Sequence, residues 1–227
     1  MTIRLITLGP GPHQHAVCVN GWVLKSYVPG AITVQARADG AASTVVLASA
    51  SGAAELAAVA AELCVRPSAQ AQGSTPHQQA LEQIQVAKDG LLRERGLFDH
   101  VVIHLTAVVL AADGGGAIAA SGELPTYLVD DGYAARVDPA PAAVRSLQSA
   151  AIDARMVRSF RLGRAQSLLL TETPLEDMGI PLEWPNPRGG SGLDRLVAEA
   201  EQETARSGTS RCLITVTDPV ANRRPDK

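Results

Sequence analysis

A chain of 227 residues with a formal charge of −3 and only 3% aromatic residues lacks the basic footprint and the stacking rings that nucleic-acid binders use. Cys18, Cys64 and Cys212 are its three cysteines and form no C-x-x-C pair, which argues against a zinc ribbon or a disulfide framework and fits a reducing cytoplasm. No basic segment followed by an apolar run opens the chain, and no apolar run reaches the ~18 residues of a membrane span, so a soluble cytoplasmic protein without nucleic-acid or membrane partners is expected.

The first predicted element is a strand over residues 2–8 (TIRLITL), stopped by Gly9-Pro10-Gly11-Pro12, which suits neither a helix nor a central strand. Strands over 15–19 and 21–27 are expected to pair across Asn20-Gly21, a hairpin dipeptide. Residues 31–38 and 44–48 pair in the same way across Asp39-Gly40. The period then changes. Leu56, Val59, Ala60 and Leu63 recur at helical spacing over 51–65, with Ser51 at the N-cap position. A polar link over 67–76 leads to a second helix over 77–96, whose buried face is marked by Leu81, Ile84, Ala87 or Lys88, and Leu91 or Leu92, with Gly96 as its stop.

Residues 106–137 form the scaffold of the chain: short apolar strands over 106–112, 117–121, 126–129 and 133–137, folded back on one another across the Asp113–Gly116 turn and Asp130-Asp131-Gly132. A helical turn over 142–154 and strands over 156–160 and 165–171 follow. An irregular stretch over 172–188 with four prolines, a helix over 193–205 and a strand over 211–217 complete the order. Residues 218–227 read as a frayed tail. Such a sequence of elements predicts an α+β chain, a four-layer α/β/β/α sandwich of two antiparallel sheets with a helical layer outside each, in a single domain over 1–217.

Several segments carry a resemblance to one family. Val45-Val46-Leu47-Ala48-Ser49-Ala50-Ser51-Gly52 is an apolar strand running into a helix; Ala119–Gly132 ends Thr126-Tyr127-Leu128-Val129-Asp130-Asp131-Gly132. Ala165–Asp177 holds Leu168-Leu169-Leu170 and Leu175-Glu176-Asp177, and Thr209–Val216 closes the chain. In this order they resemble the "ADGMGG", "HIGDSRGYLLRDG", "GDRYLLCSDGLSD" and "PDNVTVVV" segments of the metal-dependent PPM (type 2C) serine/threonine protein phosphatases, in their compact bacterial form. The second helix and the strand after it, Ala80–Arg95 and Val102–Leu110, are similar to the helix and "GTTLTAILF" strand of that family. The resemblance covers roughly residues 4–217.

The resemblance implies a fold and, by what is missing, a function. In the family, aspartates from these loops hold two Mn²⁺ or Mg²⁺ ions, which activate a water for attack on phosphorus. Here the aspartate of the family's "NED" strand is replaced by His15, beside His13; that of "ADG" by Ser49, two residues before Ser51; that of "SDG" by Thr173; and that of "DN" by Ser210. The acid of the "GDS" loop is Glu123, followed by Leu124-Pro125. The family's flap is absent too, because Val137-Asp138-Pro139-Ala140-Pro141 runs almost directly into Arg145-Ser146-Leu147. Phosphate monoesters are among the slowest substrates to react unaided, needing accelerations towards ~10²¹-fold, and hydroxyls do not replace carboxylates around a hard cation. A catalytically silent, cofactor-free member is therefore expected, a binding or regulatory module in phospho-signalling. Its partner would be a kinase, a phosphoprotein or an active phosphatase. His13, His15, Ser49, Ser51, Glu123, Thr173 and Ser210 mark its vestigial pocket, and Trp184, a rare aromatic among prolines, marks a contact surface.

Other chemistries compete with plainer readings of the same residues. His13 and His15 share one side of a strand, as metal ligands can, so an active phosphatase with a rebuilt metal site built on them and Glu123 is the alternative. Ser49-Ala50-Ser51-Gly52 suits an anion cradle less well than simple capping by Ser51. His100 and His104 read as a loop residue and a core or edge histidine. Gly114-Gly115-Gly116 is a turn, since no phosphate-loop motif follows it. Removal of Met1 would expose Thr2 as an N-terminal nucleophile, and a purely structural subunit is the remaining reading.

Overall fold

The computed structural model describes residues 2–8, 15–19, 24–28, 32–39, 42–51, 54–66, 74–93, 101–139, 147, 154–163, 166–184, 192–207 and 211–217. They divide into two compact units interleaved along the chain. One comprises Met1–Val19, Pro125–Val137 and Leu162–Lys227, the other Asn20–Leu124 and Asp138–Arg161. Each contains one antiparallel six-stranded sheet, and three α-helices complete an α+β chain. No helix among the described residues is long and apolar enough to cross a membrane.

The sheet of the first unit is built from β1 (Thr2–Leu8), β2 (His15–Val19), β8 (Thr126–Val129), β9 (Ala134–Arg136), β11 (Ser167–Thr171) and β12 (Arg211–Thr217), in the order β2-β1-β12-β11-β8-β9. The amphipathic helix α3 (Gly192–Ser207) buries Leu196, Val197, Ala200 and Thr204, a stripe at helical spacing. It turns Arg195 and Glu199, four residues apart, into a 2.9 Å ion pair. Tyr127, Leu169, Leu175, Met178, Ile180, Trp184, Leu196 and Leu213 belong to this unit's core.

The sheet of the second unit runs β10-β7-β6-β5-β4-β3, from β3 (Leu24–Val28), β4 (Ile32–Asp39), β5 (Ala42–Ala50), β6 (Ile103–Ala111), β7 (Gly115–Ser121) and β10 (Val157–Arg161). Val45, Val46, Leu47 and Ala48 are all fully buried, as are Ala107, Val108 and Val109. A strand covered on both faces reads as an unbroken apolar run, which is why these segments show no alternation. Helices α1 (Ala54–Val65) and α2 (Pro76–Arg93) pack in this unit's core, with Ala57, Ala60, Ala61 and Cys64 of α1 and Ala80, Ile84, Ala87 and Leu91 of α2 buried. The two helices approach closely at Gly90, where a Cβ would come within 2.6 Å of Leu63 Cδ1. Burial pushes the Cys64 thiol far above its ordinary range, so it is an inert core group.

Four expectations are corrected. The Asn20-Gly21 hairpin does not form: β2 pairs with β1 and β3 with β4, so the strands flanking that dipeptide enter different sheets. The supposed meander over 106–137 is likewise divided. β6 pairs with β7, and β8 with β9 and β11, because Gly122–Pro125 carries the chain from one sheet to the other. On α1 Leu56 and Ala60 are buried and Leu63 partly so, as their spacing implies, but Val59 is exposed, and Ala57, Ala61 and Cys64 complete the buried face because small side chains meet the sheet most closely. Ser51 does not cap α1. Its N–H donates to Val102 O (3.0 Å) and its Oγ accepts the Val102 N–H (3.2 Å), which extends the β5–β6 ladder. The Asp39-Gly40 pairing of β4 with β5 and the strands at 2–8, 126–129 and 211–217 form as read. The Gly96 stop and the tail over 218–227 lie outside the described residues, as does all of the turn over 142–154 except its end and Leu147, whose N–H donates to Ile103 O (2.9 Å).

Candidate functional site

The second unit brings together two of the residues singled out in the sequence, Ser49 and Glu123, around a third that spacing alone did not distinguish. Ser49, near the end of β5, pairs with His104 on β6. The β6–β7 register continues to Leu105 opposite Ser121, so the chain leaves β7 beside His104. There Gly122 adopts φ +98°, and the backbone N–H of Glu123 donates to His104 Nδ1 at 2.7 Å. A Cβ at Gly122 would overlap His104 Nδ1 and approach its Cγ to 2.5 Å. The ring thus occupies the space that glycine leaves, and the turn satisfies the ring. Glu123 itself is exposed. One signal could have found this arrangement: a glycine directly after a strand and before an isolated acid. The histidine partner had none.

Because Nδ1 accepts a hydrogen bond, the imidazole is neutral with its proton on Nε2. Burial pushes the His104 imidazole below its ordinary value, and the Glu123 carboxylate opposes the shift. A base whose folded pKa is depressed contributes stability that is complete above its unfolded value, near 6.5, and is lost as pH falls through the folded value, because the unfolded chain takes up the proton first. The thermal midpoint of the protein is expected to fall on acidification below about pH 6.5. His104→Asn, which keeps an acceptor near Nδ1 but does not titrate, is expected to flatten that part of the profile. An unchanged slope in the Asn variant would assign the acid sensitivity elsewhere.

Thr173 and His15 belong to the first unit. Thr173 is half-buried in the loop after β11, and its carbonyl accepts the Thr171 hydroxyl at 2.6 Å. This loop is closely tied. The Thr171 N–H donates to Pro125 O (3.0 Å), the Leu175 N–H donates to the Tyr127 hydroxyl (3.0 Å), and that hydroxyl donates to Glu176 Oε2 (2.7 Å). Burial first, and the bond to Glu176 next, push the Tyr127 hydroxyl well above its ordinary value. A short helical turn at Glu176–Met178 ends at Gly179 with φ 71°. His15 opens β2 opposite Ile6. His13 and Ser210 lie outside the described residues.

Trp184, expected at a contact surface, packs into the first unit. It is only 7% exposed and belongs to the first unit's core. Its indole N–H donates to Asp131 O (2.8 Å) and its backbone N–H to Gly132 O (3.0 Å). A side chain so engaged pins the proline-rich stretch to the β8–β9 turn.

No protein-family model and no curated protein matches the chain by sequence. Solved structures do match it. The catalytic domain of the serine/threonine protein phosphatase PstP, in complex with two manganese ions, is 15% identical, with a TM-score of 0.53 over 94% of this chain and 97% of that one. The phosphatase domain of the cell-fate determinant SpoIIE from Bacillus subtilis is 11% identical, with a TM-score of 0.52 over 94% of this chain and 90% of that one. The RsbU and RsbW domains of Rv1364c from Mycobacterium tuberculosis are 17% identical, with a TM-score of 0.56 over 94% of this chain and 60% of that one. At such identities the likeness is one of fold, and the chain has the fold of the PP2C-type serine/threonine phosphatases.

Proposed function

We propose that this chain uses a phosphatase fold without metal-dependent phosphatase chemistry, and serves as a protein-binding or regulatory module in phospho-signalling. Ser49 carries the reading. It stands where the resemblance places a metal-binding aspartate, and the residue paired with it across the ladder is His104, whose Nδ1 is already engaged by the Glu123 N–H. Thr173 stands at a second such position and offers a hydroxyl in place of a carboxylate. Two hard divalent cations need several oxygen ligands, most of them anionic. Among the described residues no group of three or more His, Cys, Asp or Glu side chains is placed to hold a metal. The donors at these positions do not fit the two-manganese centre of the PstP domain, and no catalytic step is assigned to them.

The test is hydrolysis of a generic phosphate ester and of a phosphoserine peptide by the full chain, with Mn²⁺, Mg²⁺, Zn²⁺ or Fe²⁺ supplied in turn. The expected result is no turnover above the metal-only background. Metal-stimulated turnover that disappears in His15→Ala would instead establish an active phosphatase with a rebuilt site. Recovery of a kinase, a phosphoprotein or a phosphatase with the tagged chain from its native host would identify the partner class.

A further inference from the structure

We draw no further inference here: the strongest candidate, the exposed apolar side chains of the second unit's helices, Val59 on α1 and Val86 and Leu92 on α2, carries nothing because nothing in the structure shows what covers them.

Discussion

Trp184→Ala is expected to cost about 3–5 kcal/mol of stability, the range for removing a buried tryptophan or phenylalanine from a core. The indole packs among Leu175, Met178, Ile180 and Leu196, and its N–H is the donor to Asp131 O. Truncation would leave a cavity and remove the partner of that carbonyl. For a chain of this size the loss corresponds to a fall in thermal midpoint of roughly 2–4 °C per kcal/mol, so a shift of about 10 °C is expected by circular dichroism. Trp184→Phe separates the two contributions, because it retains much of the packing and loses only the indole N–H. A loss under about 1 kcal/mol in the alanine variant, within the range of ordinary surface changes, would show that the ring does not pin the loop and would restore it as a candidate contact residue.

Gly122→Ala should be nearly as damaging, for a different reason. At φ +98° a Cβ is strained in its own right, by about 1–2 kcal/mol, and here it would also collide with the His104 ring. Overpacking of this kind adds about 1–3 kcal/mol. The two causes are separable in a double-mutant cycle measured by urea unfolding. His104→Ala alone removes the ring and leaves the Glu123 N–H without its acceptor. Combined with Gly122→Ala it relieves the collision but not the backbone strain, so the pair is expected to be less destabilised than the sum of the single changes. Strict additivity would mean that the ring does not fill the space at Gly122, and with it the account of Ser49, His104 and Glu123 as one arrangement would be lost.

Local pattern was a sound guide where one residue type allows one answer. TIRLITL and RCLITVT are β-branched runs, and they form β1 and β12, paired over their whole length. Asp39-Gly40 joins β4 to β5 because the two strands have matching apolar registers. The same kind of dipeptide misled at Asn20-Gly21, since a turn-forming pair states that the chain can reverse, not which strand it will reverse onto. β2 and β3 found better partners in β1 and β4. On α1 the apolar spacing found Leu56 and Ala60 but also took in Val59, which is exposed. In a helix so rich in alanine, the face that meets a sheet is chosen by fit, and Val59 was left outside.

At the candidate site the identity of each residue was readable directly, because a hydroxyl or a carboxylate is either present in the sequence or not. Ser49, Thr173 and Glu123 occupy their positions whatever the fold. The surroundings of these residues were not readable. His104 is 18 residues before Gly122 in the sequence, and only the β6–β7 ladder brings the ring against the glycine and its Nδ1 to the Glu123 N–H. Trp184 is a rare aromatic among prolines in the sequence, and its indole N–H finds its acceptor at the Asp131 carbonyl, 53 residues away.

Composition and alternation therefore determined the secondary elements, the negative net charge and the identity of each candidate residue, all of which are properties of single residues or their nearest neighbours. Strand partnership, the full buried face of α1 and the engagement of His104 were decided by the tertiary structure. Each depends on which distant backbone or side chain arrives alongside, and pairings of that kind leave no mark on a local stretch of chain.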